Sequence, residues 1–265
     1  MKNFSKLAIL GAALAASASI ASATPITYTL GSYGATSTLS PTYNPGAISV
    51  SNSAVQYVGS ETYSTVAAIP TTPGALVGQS GTGFSTTGAG VASELNPGGV
   101  WNNPATNSSW VGSTANSGPV QTSNPAYGYY EYTTSLSAVA GTYDGFLNVL
   151  ADDTVEVLLN GVVIIPFGTL GGDQHCADGL PTCLTTDDVA LTNISLLASN
   201  TLTFIVEQAG TGPVGGVNDP SGFDFSGSLT QTPEPSSLIL LGTGLVGAAS
   251  LFFRRRRSLH SSTLA

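Results

Sequence analysis

The chain is 265 residues long, acidic, and only 8% of its residues are charged. Its six Lys and Arg are Lys2, Lys6, Arg254, Arg255, Arg256 and Arg257, and all fifteen Asp and Glu lie between these two groups. Residues 24–233 therefore carry fourteen acids (fifteen less Glu234) and no Lys or Arg. That excludes nucleic-acid binding, which depends on basic side chains neutralising phosphates. It also leaves apolar burial and backbone hydrogen bonds, rather than Lys or Arg salt bridges, to hold the body together.

Residues 1–23 read as a secretory signal helix. Lys2 and Lys6 form the positive n-region, residues 7–16 the apolar h-region, and Ala21-Ser22-Ala23 a small-x-small cleavage site ending at Ala23. The h-region is too short to span a bilayer and is followed at once by polar residues, so export through the Sec translocon with cleavage is expected. What remains is long enough for one large domain.

From residue 24 to 231 no sustained 3.6-residue periodicity occurs; short β-branched and aromatic runs alternate with turn residues, which predicts an all-β sandwich or barrel with few helices. Residues 25–30, 47–58 and 63–69 are predicted strands. Residues 70–99 turn to Gly, Thr, Ser and Pro and predict loops around short strands near Phe84 and Val91. The second half is clearer, with strands over 127–136 and 141–151 and a hairpin over 152–167. In that hairpin Val155, Val157 and Leu159 share one face, Asn160-Gly161 supplies the positive-φ pair of a type I′ turn, and Pro166 ends the pairing. Residues 168–188 are polar and predict a long surface loop holding both cysteines. Strands follow at 200–209, where Leu202, Phe204 and Val206 alternate with polar neighbours, and at 222–232.

Several residues could carry chemistry. Cys176 and Cys183 sit in one loop of an exported chain, so a local disulfide is expected; a metal site with His175 as third ligand is the alternative, but no second ligand pair exists for zinc. No cofactor is expected: no D-x-D-x-D-G loop is present, and Asp at a strand entrance more commonly caps a turn; were Ca²⁺ bound, through carboxylate and carbonyl oxygens, Asp152 and Asp153 are the first candidates. Paired carboxylates could hydrolyse glycosides, but these acids cannot be paired from sequence. A Ser-His-Asp triad is disfavoured because His175 is the body's single histidine and no G-x-S-x-G elbow occurs. Trp101, Trp110 and Tyr129 belong to an aromatic cluster over 101–132 that could stack on sugar rings, against the alternative of core packing.

The C-terminal stretch has three parts. Pro233-Glu234-Pro235 forces an extended segment. Residues 236–253 then run without charge, and as a helix they would cover roughly 27 Å, close to the hydrocarbon thickness of a bilayer. Arg254, Arg255, Arg256 and Arg257 behind them form a stop signal by the positive-inside rule. The sequence "TPEPSSLILLGTGLVGAASLFFRRRR" resembles the PEP-CTERM sorting signal of Gram-negative bacteria. That resemblance implies processing by an exosortase, transient membrane anchoring, and a mature form at the cell surface or outside it, usually in bacteria that make exopolysaccharide. The body is similar to PEP-CTERM passenger domains in "GGVWNNP", "SSWVG", "YGYYEYTTSL", "GTYDGFLNVLADDTVEVLLNGVVI", "NTLTFIVEQ" and "PSGFDFSGSL". This second resemblance implies a galactose-binding-like jelly roll. The expected layout is thus a signal peptide (1–23), an all-β jelly-roll-like ectodomain (24–231, best defined over 98–231), a sorting signal with a transmembrane helix (232–257) and a cytoplasmic tail (258–265). The expected role is a non-enzymatic surface or matrix protein, the alternatives being a lectin-like module and, behind it, a polysaccharide hydrolase.

Overall fold

The structure is a computed structural model that describes residues 25–32, 51–70, 83–104, 108–120, 125–170, 176–209 and 219–232, together with helical residues Gly242, 244–249 and Phe252. The strands are β1 (Thr27–Gly31), β2 (Ser51–Tyr63), β3 (Gly90–Glu94), β4 (Val111–Gly112), β5 (Tyr127–Ser137), β6 (Gly141–Asp152), β7 (Thr154–Leu159), β8 (Val162–Ile165), β9 (Asp187–Leu196), β10 (Ser199–Gln208) and β11 (Gly222–Gln231). They form one sheet in the order β8-β7-β10-β5-β2-β3-β4-β11-β6-β9, with β1 against β11.

This sheet folds back on itself. β10 and β11 are far apart in the hydrogen-bonded order, yet Phe204 of β10 lies 4.7 Å from Phe223 and 4.4 Å from Phe225 of β11, ring centre to ring centre. Tyr132 of β5 approaches Phe223 to 4.9 Å. The alternation read from sequence explains why. Val155, Val157 and Leu159 of β7, Leu202, Phe204 and Val206 of β10, and Tyr130 and Tyr132 of β5 all project into one core, facing Tyr143, Leu147, Val149, Phe223 and Phe225. The fold is thus a mostly β, sandwich-like sheet.

At the Asn160-Gly161 turn both residues take positive φ, 51° and 81°, as a type I′ hairpin requires. Gly145 of β6 has a different reason to be glycine. A Cβ there would fall 1.8 Å from the Ser228 carbonyl oxygen of β11, so the two strands could not approach with any side chain at this point.

Three elements depart from the expectation. Residues 63–69 are not a strand: β2 stops at Tyr63, and Val66–Ala68 form a 3₁₀ turn none of whose residues is buried, so nothing holds them in a sheet. β9 was not expected. Its inward positions switch phase, from Val189 and Leu191 to Ile194 and Leu196, because Asn193 adopts φ 55° where the register with β6 shifts between Tyr143 and Gly145. A strict period of two cannot register such a strand. The segment 168–188 is not wholly a surface loop, since Cys176, Ala177, Thr182 and Cys183 are buried.

Among the described residues no helix is long and apolar enough to cross a membrane. The signal segment 1–23 and most of 232–265 lie outside the described residues.

Candidate functional site

β6 ends at Asp152 and β7 begins at Thr154, so Asp152 and Asp153 form the link where the two strands part. Both are sealed from solvent, at 0% and 2% exposure. Asp152 Oδ2 accepts the indole N–H of Trp101. Its Oδ1 has no hydrogen-bond partner. Asp153 Oδ2 accepts the backbone N–H of Ala209, and its own N–H donates to the Glu207 carbonyl at 3.1 Å. These contacts tie the link to the end of β10.

The segment 176–183 closes over this end. Cys176 and Cys183 are bonded to each other. Their sulfurs belong to a small apolar cluster with Leu95, Trp101, Trp110 and Leu150. Ala177 N–H donates to the Asp153 carbonyl (3.0 Å), Ala151 N–H to Thr182 (3.2 Å), and the Thr154 hydroxyl to Pro181 (2.9 Å). Asn102 N–H reaches the Cys183 carbonyl at 2.9 Å. The Trp101 ring that holds Asp152 is itself stacked on Trp110 at 4.2 Å, and Trp110 donates to the Asn102 carbonyl at 2.9 Å.

The electrostatics of this end follow from burial in a body without Lys or Arg. Burial first, then the adjacent Asp153 charge, push Asp152 well above the usual carboxylate range; the Trp101 hydrogen bond opposes this and Asp219 adds to the rise. Asp219, 3% exposed, is pushed up to about 7 by burial against a lowering hydrogen bond with Gln208. The arrangement gathers carboxylate oxygens with no Lys or Arg beside them. Its donors are hard oxygens, the chemistry that Ca²⁺ takes and that soft metals do not. Among the described residues no group of three or more His, Cys, Asp or Glu is placed to hold a metal ion, so any Ca²⁺ here would draw part of its shell from carbonyls and water.

The remaining sequence candidates fall as follows. Trp101, Trp110 and Tyr129 are buried, at 3%, 0% and 0% exposure, so these rings do not form a surface on which a sugar could stack. The two indoles fill the apolar cluster beneath the disulfide. The Tyr129 ring lies 5.9 Å from Phe167, and its hydroxyl donates to the Pro70 carbonyl (2.6 Å) with Glu207 Oε1 3.3 Å away. Glu207 is pushed up to about 7, chiefly by burial. The sequence places Asp219 only among the acids at loops and strand ends that could bind Ca²⁺ and gives Glu207 no role; only the strand register brings Glu207 beside Tyr129 and Thr154. Ala23, His175, Pro233, Glu234, Pro235, Arg254, Arg255, Arg256 and Arg257 lie outside the described residues.

Comparison with known proteins adds the following. No curated protein matches the chain in sequence. Among solved structures it is similar to a GH26-CBM35 β-(1,4)-mannanase of Podospora anserina, at 20% identity and TM-score 0.24 over 43% of this chain and 25% of that one. A β-glucosidase of Kluyveromyces marxianus matches at 15% identity and TM-score 0.25, over 46% of this chain and 13% of that one. A family 35 carbohydrate-binding module from Clostridium thermocellum matches at 13% identity and TM-score 0.22, over 41% of this chain and 84% of that one. Residues 231–257 match the PEP-CTERM protein-sorting motif, which indicates an exported protein processed by an exosortase.

Proposed function

We propose that the chain is the precursor of a non-enzymatic surface or extracellular-matrix protein whose body associates with exopolysaccharide. The observation that carries this reading is the sorting motif at 231–257, attached to a body with no Lys or Arg. In this account the precursor is held in the cytoplasmic membrane by residues 236–253, cut near Pro235, and released or attached outside. Mass spectrometry of protein recovered from culture tests the first step. A chain ending near Pro235 is the expected result, and intact chain ending at Ala265 in the membrane fraction would make the tail a plain anchor.

The absence of enzymatic activity belongs to the proposal. Asp152, Asp153 and Asp224 are enclosed and engaged by neighbouring side chains and backbone, which suits structure rather than a pair of carboxylates across an open cleft. Ca²⁺ is proposed to complete the Asp152–Asp153 end, with Asp152 Oδ1 as the oxygen that carries the assignment. Asp153 and Asp219 add charge. Bound there, Ca²⁺ would neutralise carboxylates for which the body has no Lys or Arg counterion. Retention of the protein on polysaccharides tests the association, and loss of retention on every neutral and acidic polymer tried would overturn it.

A further inference from the structure

Both tryptophans of the chain, Trp101 and Trp110, lie in the apolar cluster that the Cys176–Cys183 disulfide closes. The disulfide is enclosed, with Cys176 6% and Cys183 0% exposed, so a thiol reagent reaches it only when segment 176–183 lifts. That segment grips the Asp152–Asp153 link in two ways. By hydrogen bonds it holds Ala151, Asp153 and Thr154, which flank Asp152 on both sides. Through the sulfurs it packs against Trp101, whose indole N–H is the donor to Asp152 Oδ2. Lifting 176–183 therefore removes three hydrogen bonds from the link, uncovers the Trp101 ring and lets water reach the enclosed Asp152 Oδ1.

A cation on Asp152 and Asp153 needs the link in its closed geometry, so cross-link and cation favour the same state. Two influences that favour one state strengthen each other by the same factor. The cross-link forms when the two thiols pass two electrons and two protons to a disulfide-bearing oxidant, which leaves as a dithiol. Such oxidants act outside the cytoplasm, whereas inside it thiols stay reduced. Free Ca²⁺ is likewise scarce inside and plentiful outside. The sorting motif at 231–257 takes the chain from the first setting to the second.

We infer that segment 176–183 and the Asp152–Asp153 link form a compartment-sensing latch, open in the reduced, Ca²⁺-poor cytoplasm and shut after export by disulfide and Ca²⁺ acting together. The latch rests on the Ca²⁺ reading of this end and adds to it what controls the site. Because Trp101 and Trp110 are the only indoles, tryptophan fluorescence of the whole protein reports this end alone. Ca²⁺ titrations of the oxidised and the dithiothreitol-reduced protein, followed in that signal, should give dissociation constants at least about tenfold apart, the reduced form being the weaker. Where the reduced protein does not fold, the reduction rate of the folded wild type serves instead; dithiothreitol ends as a cyclic disulfide, and Cys176 and Cys183 as thiols. That rate should be at least about tenfold lower in excess Ca²⁺ than in excess chelator, and the two rates should agree in Asp152→Asn. Equal dissociation constants in the two redox forms, or equal wild-type reduction rates while the oxidised protein still binds Ca²⁺, would overturn the latch and leave the cation site standing. Slowing by Ca²⁺ that persists in Asp152→Asn would overturn it too, by placing the cation elsewhere. An oxidised protein whose fluorescence and melting temperature ignore Ca²⁺ removes site and latch together.

Discussion

Asp152 and Asp224 are both enclosed, each at 0% exposure, yet their oxygens are treated differently. Asp224 Oδ1 accepts the Ser32 hydroxyl at 2.8 Å and Oδ2 accepts the Ser108 hydroxyl at 2.9 Å. The same Ser32 hydroxyl also lies 2.6 Å from the Ser109 carbonyl, so its one proton is shared between the two acceptors, and it accepts the Ser109 N–H at 3.0 Å; the carboxylate thus sits in a network of short polar side chains. Asp152 has Trp101 on one oxygen and nothing on the other, with Asp153 beside it. Burial alone therefore does not mark a site. One carboxylate has both oxygens hydrogen-bonded within the fold; the other has one oxygen without a hydrogen bond, and it is there that the proposed Ca²⁺ would bind.

The largest effect that distinguishes them is expected at Asp224. Asp224→Ala removes the acceptor of the Ser108 hydroxyl and one partner of Ser32 in the interior, and should cost about 3 kcal/mol in denaturant unfolding, with or without Ca²⁺. An effect that vanished on adding Ca²⁺ would break the contrast. Ca²⁺ itself should stabilise the wild-type protein by about 2.7 kcal/mol when its free concentration is about a hundredfold above the dissociation constant.

In chelator, pH should show the same property. An unfolded aspartate titrates near 4, whereas folded Asp219 is raised to about 7 and Asp152 is raised as well. Between those limits the native state binds more protons than the unfolded state, so stability falls as pH rises from about 4 through about 7. Glu207, also raised to about 7, contributes to the same fall from the outer face of β10. Glu207→Gln should therefore shallow the pH dependence and leave the Ca²⁺ effect unchanged. Thermal melts across that window with excess chelator check this, and a rise in stability with pH would reverse the assignment.

A smaller loss, about 1–2 kcal/mol, is expected for Trp101→Phe, which keeps the ring against Trp110 but removes the donor to Asp152 Oδ2. The smallest is Gly161→Ala. It should cost about 1 kcal/mol because φ 81° disfavours a side chain, and the loss should be the same in Ca²⁺ and in chelator.

The parts of the fold that were legible are those where local chemistry and period agree. Val155, Val157 and Leu159 alternate up to Asn160-Gly161, and the hairpin forms there. β9 stayed hidden because Asn193 shifts its phase, and because Asp187 and Asp188 open it with charges where an apolar start would have been visible. The aromatic cluster was legible as a cluster but not as interior. Trp101 and Trp110 lie in a stretch of Gly, Asn, Pro and Ser, and what buries them is a disulfide segment far along the chain. The Asp152–Asp153 pair could be singled out because the residues are adjacent. Its environment could not, since Trp101, Ala209 and Asp219 come to it from three separate segments. The core tyrosines Tyr57 and Tyr130 belong to strands whose pairing no short-range pattern encodes.

The most direct test of the account is the melting temperature of the wild-type and Asp152→Asn proteins, each with saturating Ca²⁺ and with excess chelator, at neutral pH. The wild type should melt several degrees higher in Ca²⁺, at roughly 2–4 °C per kcal/mol for a domain of this size. The variant, unable to ionise at this position, should melt at one temperature in both conditions and no lower than the wild type in chelator. A wild-type melting temperature indifferent to Ca²⁺, or a variant stabilised by Ca²⁺ as much as the wild type, would contradict the assignment of that end as a cation site.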